Sequence, residues 1–226
     1  MSKSGETFKT LAFATVISVI SGAALLWAGT ALKPRIDRNQ KVKKYRHILS
    51  SLGIEVPKDA SAKDVIEMFE TKVAGERLGP IYRFVYKDDG QVKAYAYPVS
   101  GKGLWGMIYG FLAVSPDLCH VKQITFYKHQ ETPGLGAEIE KKWFTDQFVN
   151  KSITKNCDGN PDHIILRVRK KGTANKKFEV DGISGATMTT VAVDKFLVSD
   201  MKKMLGRAHD KPVSVPAARL AGGEAQ

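Results

Sequence analysis

Hydrophobic positions follow three patterns along this chain. In the first, residues 10–32 (TLAFATVISVISGAALLWAGTAL) carry no charge and are bounded by Lys9 and Lys33. As a helix rising about 1.5 Å per residue, this run extends roughly 34 Å, enough to cross a hydrocarbon layer of about 30 Å. A cleaved signal peptide would have a shorter apolar region and a small-residue cleavage site. Here the run ends in Leu-Lys-Pro-Arg, so an uncleaved anchor is the preferred reading.

The second pattern has the helical period. In SAKDVIEMFETKV, residues 61–73, Val65, Ile66, Met68 and Phe69 share one broad face, with Ser61 as N-cap and Asp64 in the reciprocal capping-box place. In VAVDKFLVSDMKKML, residues 191–205, Val193, Phe196, Leu197, Met201, Met204 and Leu205 form another stripe. Residues 35–51 also have helical composition, interrupted by Gly53 and Pro57.

The third pattern is that of strands. Residues 81–86 and 92–99 run apolar and aromatic on either side of Asp88-Asp89-Gly90, a hairpin turn. Residues 105–114 and 120–127 form a second pair joined at Ser115-Pro116-Asp117, and 163–169 is a later strand. Between them, residues 129–148 break at Pro133-Gly134 and become helical after Gly136. Because strands and helices do not alternate regularly, the expected fold is α+β: a single N-terminal transmembrane helix followed by one mixed, largely antiparallel sheet domain with helices. The expected organisation is an N-terminal segment and span at 1–33, a juxtamembrane helical connector at 34–78 and the sheet domain at 79–208. Residues 209–226, rich in Pro, Ala and Gly without apolar periodicity, are expected to form a disordered tail.

Charge and cysteine refine this picture little. The net charge of +12 is concentrated in separate blocks, one beside the span (residues 41–46) and one in a polar stretch (residues 167–177). A basic block beside a span meets anionic lipid headgroups, and with an anchor present nucleic acid is not an expected partner. Lys33, Arg35, Arg38, Lys41, Lys43, Lys44 and Arg46 follow the span, against Lys3 and Lys9 before it, so a positive-inside count puts the large domain in the cytoplasm. Long domains translocate largely regardless of charge, so charge alone leaves the side open. Cys119 and Cys157 match no metal spacing and read either as two free thiols or as one disulfide. His47, His120, His129, His163 and His209 are scattered, and no metal site is expected.

One short stretch asks for more than architecture. DGISGATMTT, residues 181–190, places four hydroxyls and two glycines at the start of a helix. One cap needs one hydroxyl, so a simple capped turn leaves the others unexplained. A helix N-terminus with free N–H groups and small residues in front of it is suited to phosphate. Neither a P-loop lysine nor G-x-G-x-x-G is present.

Residues 181–187, DGISGAT, resemble the flavinylation motif Asp-x-x-Ser/Thr-Gly-Ala-Thr of the covalent FMN-binding domain family. HQETPGLG (129–136) and GKGLWGMIYGFLAV (101–114) are similar to stretches in the C subunits of Na+-translocating NADH:quinone oxidoreductases, to which the G subunits of Rnf-type complexes are related. The resemblance implies FMN as cofactor, joined to Thr187 by a phosphoester. Ser184, Gly185 and Ala186 would lie against the phosphate, with Met188 and Thr189 in the same turn. Glu131, Thr132, Leu135 and Gly136 would form a facing loop, and Trp105 with Leu135 would cover the ring. Trp105 reads equally well as a core or membrane-interface tryptophan.

No catalytic side chain is implied, because FMN carries the electrons and the protein supplies position and electrostatics. By the same resemblance the chain passes electrons from NADH toward ubiquinone within a sodium-transporting complex and is not catalytic alone. Its partners would be the other membrane and NADH-oxidising subunits and a flavin transferase. It would sit in the bacterial inner membrane as a single-pass protein with its FMN domain on the periplasmic side. The alternatives are the G subunit of an Rnf-type ferredoxin:NAD oxidoreductase and a tethered binding domain without flavin.

Overall fold

A computed structural model describes residues 3–222. The first two residues, and residues 223–226 of the expected tail, lie outside the described residues. Helix α1 spans Lys3–Ser51 without a break at Pro34. Among the described residues this is the one helix long and apolar enough to cross a membrane. Hydroxyls inside the run bond back to the helix itself, Thr15 to the Leu11 carbonyl at 2.9 Å and Ser18 to that of Ala14 at 2.8 Å. A lipid core offers no other partner, so such back-bonding lets an apolar span tolerate Ser and Thr. The chain divides into two compact units, residues 1–41 and residues 42–226.

The second unit is built on an antiparallel sheet. Helix α2 (Ala62–Lys72) begins as its sequence requires: the Ser61 hydroxyl accepts from the Asp64 N–H and the Asp64 carboxylate accepts from the Ser61 N–H. Strands β1 (Val73–Leu78), β2 (Ile81–Asp88), β3 (Gln91–Lys102), β4 (Met107–Val114) and β5 (Val121–Lys128) follow as a meander. The β2–β3 turn places Asp89 at φ 49° and Gly90 at φ 75°. These are the left-handed angles a two-residue hairpin demands, which is why Asp-Gly marks it in sequence.

Beyond β5 come short turns of 3-10 helix, helix α3 (Lys142–Thr145) and strands β6 (Arg167–Arg169) and β7 (Glu179–Asp181), which pair in parallel. Helix α4 (Thr187–Gly206) follows, then β8 (Val213–Val215) and α5 (Ala217–Gly222). The main sheet has the order β5-β4-β3-β2-β1-β8.

Alternation along the strands assigns each residue to one of two cores. Tyr97, Val99, Ile108 and Leu112 face a cluster containing Phe144, Phe148, Val193 and Phe196, from α4 and the irregular segment after β5. Ala94, Ala96, Phe111 and Phe84 face the opposite cluster, containing Tyr45, Ile48 and Leu49 from the end of α1, Phe69 from α2, and Leu220 from α5. Helical cover therefore lies on both faces.

Several expectations change. The expected connector 34–78 includes strand β1, and residues 213–222 of the expected disordered tail are ordered. β8 adds to the sheet edge through Gly75↔Val215, and Ala217, Leu220 and Ala221 are buried. A Cβ on Gly75 would lie 2.5 Å from the Val215 carbonyl oxygen, so the glycine is what admits the returning chain. The expected helix after Gly136 is instead 3-10 turns at Gly136–Glu140 and Asp146–Phe148 around the short α3, because extended Lys141 breaks the run. The strand expected over 105–114 starts at Met107 and leaves Trp105 in the preceding loop, and that expected over 163–169 narrows to β6.

Candidate functional site

The stretch 181–190 forms a turn that is locked from behind and open in front. Asp181 ends β7, and its Oδ1 accepts from the N–H groups of Gly172 at 2.7 Å and Ala174 at 3.3 Å. Its backbone is held on both sides by Gln147, through bonds of 3.0 and 3.2 Å. The Gly182 N–H donates to the Arg169 carbonyl at 2.7 Å, and a Cβ there would lie 2.3 Å from the Thr190 methyl. Ile183 is buried, and its N–H donates to the Thr190 hydroxyl at 3.1 Å. Gly185, at φ 75°, then turns the chain into α4, a conformation costly for any residue with a Cβ.

The four hydroxyls separate into two pairs. Thr189 and Thr190 are buried and hydrogen-bonded, Thr189 donating to Glu131 Oε2 at 2.5 Å. Ser184 and Thr187 are exposed, and among the described residues neither side chain makes a hydrogen bond. Ala186 is buried beneath them, while Gly185 and Met188 lie on the exposed rim. No side chain caps α4, whose first N–H groups have no partner within the helix. An exposed, uncapped N-terminus of a 20-residue helix carries a positive partial charge beside two free hydroxyls.

Two loops face this turn. The first, between β3 and β4, closes by a 2.7 Å bond from the Gly103 N–H to the Gly106 carbonyl and leaves Leu104 and Trp105 exposed, Trp105 at 67%. The second runs through Glu131–Gly136. Leu135 is exposed and lies where a Cβ on Gly185 would be 3.0 Å from its Cδ2. Thr132 is exposed, and its carbonyl accepts from the N–H groups of Leu135 and Ala137, both at 3.1 Å. Gly136 is buried, with space for no side chain: a Cβ would be 2.6 Å from Thr189 Oγ1 and 2.8 Å from Glu131 Oε2.

All the expected site residues thus fall on three convergent segments. Trp105 is neither core nor sheet but a loop tip. Sequence reasoning missed Gln147 as a group that holds the turn, and Leu104 and Met107 as exposed apolar neighbours of Trp105. A signal for the last two was present: three large apolar residues set among glycines in a GLWGM loop cannot all reach a core.

These residues fit FMN. An uncapped helix end next to an unengaged Thr187 suits a phosphate, and exposed Trp105, Leu135 and Met188 suit a flat apolar ring. Away from this site, Cys119 and Cys157 form a disulfide with a Cα–Cα distance of 4.9 Å, settling the alternative that the sequence left open.

Comparison with known proteins agrees with this geometry. The family model of the FMN-binding domain matches residues 103–199. The C subunit of the Na(+)-translocating NADH-quinone reductase from Haemophilus ducreyi is 32% identical over 82% of this chain and 86% of its own length. The corresponding protein of Pseudomonas aeruginosa is 28% identical over 87% and 92%. Among solved structures, the same protein from Parabacteroides distasonis superposes with a TM-score of 0.67 at 25% identity, covering 80% of this chain and 98% of that one.

Proposed function

Because the chain belongs to the C-subunit family of the Na(+)-translocating NADH-quinone reductases, we propose that it is the anchored, electron-transferring FMN protein of such a complex, with FMN esterified to Thr187. The observation that carries the attachment site is the division of the four hydroxyls. Thr189 and Thr190 are spent inside the protein, whereas Thr187 is exposed in the first turn of α4. Ser184 is also free, but it precedes Gly185 and lies outside the helix, whereas Thr187 is the first residue of α4, beside its unpartnered N–H groups.

In this reading a flavin transferase brings FAD to Thr187. The hydroxyl oxygen forms the new ester bond to phosphorus, the pyrophosphate bond breaks, AMP leaves and the hydroxyl proton is released. Bound FMN supplies reversible electron transfer on the route from NADH to quinone. The protein's share is to hold and shield: N–H groups at the start of α4 meet the phosphate, and Trp105, Leu135 and Met188 keep water from the ring. The anchor keeps the domain beside the other membrane and NADH-oxidising subunits. The relatives described above carry the reductase name, so the reading stays with that complex rather than an Rnf-type one.

Two observations support a periplasmic domain. A disulfide persists in an oxidising compartment. The opposing charge count also weakens, since Arg46 donates to the Pro57 and Ala60 carbonyls at the end of α1 and serves the fold. Mass spectrometry of the peptide spanning residues 181–195, from chain co-expressed with a flavin transferase, tests the attachment. Thr187→Val is expected to lose all covalent FMN while keeping its fold. An FMN adduct retained in that variant, or found on another residue, would sink the assignment.

A further inference from the structure

Glu131 is the most constrained polar residue near the site, yet it points into the protein. It is 4% exposed, in a segment with no other buried charge. Its Oε1 accepts the Trp105 N–H at 3.0 Å and its Oε2 accepts the Thr189 hydroxyl at 2.5 Å, joining positions 26 and 58 residues away. Its own N–H donates to His129 Nδ1 at 3.3 Å. No Lys or Arg pairs with it among the described residues. Burying an ionised carboxylate is costly unless hydrogen bonds replace the lost water, so the two donors it holds are strongly required. The backbone is cut to fit it: a Cβ on Gly103 would lie 2.6 Å from Oε1, and one on Gly136 would lie 2.8 Å from Oε2.

We propose that Glu131 is a positioning residue for flavin attachment: it ties the first turn of α4 to the Trp105 loop through Thr189, and so presents the Thr187 hydroxyl to the transferase. This rests on the reading that Thr187 carries FMN. Thr189 lies two residues beyond Thr187 in the same helical turn, so a turn released at Thr189 carries Thr187 with it. The tie requires a polar side chain that reaches both partners. An ionised carboxylate accepts at both oxygens, whereas the amide of Gln offers an acceptor at one atom and a donor at the other. With its oxygen toward the Trp105 N–H, that amide still meets Thr189 by donating to the hydroxyl oxygen, so Gln keeps the tie with one bond reversed, whereas apolar Leu, of similar size, removes both bonds.

The test follows the time course of FMN incorporation into the full chain, supplied with FAD and a flavin transferase, by intact-mass spectrometry. Melting temperature and near-ultraviolet circular dichroism of the flavin-free chain are measured alongside. Glu131→Leu and Thr189→Val are each expected to slow incorporation about tenfold to a hundredfold, the range a misplaced reacting group produces, while Glu131→Gln is expected to stay close to wild type. Thr189→Ser, which restores the hydroxyl, is expected to recover the rate, and the Glu131→Leu/Thr189→Val double variant to be no slower than the slower single. Thr189→Val keeps the test decisive if Glu131→Leu fails to fold. Incorporation by a folded Glu131→Leu or Thr189→Val at the wild-type rate would overturn the proposal, as would a Thr189→Ser as slow as Thr189→Val. A wild-type chain that takes up no FMN overturns the Thr187 assignment itself, a failure distinct from these.

Discussion

The two faces of the six-stranded sheet are covered by different kinds of structure. On one, the end of α1 with α2 and α5 packs large side chains in regular helices, with the Tyr45 and Phe69 rings stacked at 3.8 Å and Phe84 edge-on to Phe111. On the other, α4 is joined by short 3-10 turns, a three-residue parallel strand pair and loops built around glycines that tolerate no Cβ. The first face buries apolar area. The second also holds backbone groups and hydroxyls in fixed places, and the three segments of the proposed flavin site converge there. Separating the two tasks lets the site keep free hydroxyls and a glycine turn at Gly185, φ 75°, while the far face carries stability.

That division predicts that changes on the far face cost stability and leave flavin content alone. The largest effect is expected from Phe69→Ala, which empties the centre of the far cluster. It should destabilise the domain by about 3–5 kcal/mol in urea unfolding. The FMN content of the folded fraction should not change, and a parallel loss of flavin would break the comparison.

Next comes the disulfide, which staples the irregular face: Cys119 precedes β5, and Cys157 lies 38 residues on in a 3-10 turn. Replacing both cysteines by serine should cost about 2–4 kcal/mol, since a loop of that length is no longer closed in the unfolded chain. Differential scanning calorimetry would detect it. A melting temperature unchanged from wild type would count against the staple.

The third is a pH dependence on the far face, absent at neutral pH and growing only as the solution is acidified. Burial, reinforced by the nearby Lys43 charge, lowers the His47 pKa from 6.5 to about 4, so the native state holds the ring neutral. The unfolded chain binds a proton near pH 6.5 and the folded one only near pH 4. The stability His47 contributes is therefore complete above pH 6.5 and lost as pH falls toward 4, with a slope of up to about 1.4 kcal/mol per pH unit. Urea midpoints measured between pH 7 and pH 4 should show this slope, and His47→Gln should flatten it. An equally steep fall in His47→Gln would assign the slope to another group.

Local patterns determined much of this protein by themselves. The uncharged run at 10–32, the Ser61–Asp64 capping box, the Asp89-Gly90 turn and the α4 stripe depend on residues within a few positions of each other, and each is where the sequence places it. The motif at 181–187 and its resemblance to FMN-binding domains were legible for the same reason. Only the tertiary structure decided what each residue does. Trp105 became a loop tip because Gly103 and Gly106 close the chain around it, and the tail became β8 because Gly75, some 140 residues earlier, leaves room at the sheet edge. Four hydroxyls that look alike in sequence were sorted into two spent and two free by Glu131 and Ile183, groups from outside the helix they begin. Periodicity and capping are read along the chain at short range, whereas exposure and hydrogen-bond commitment depend on partners brought together across the fold, which no local pattern encodes.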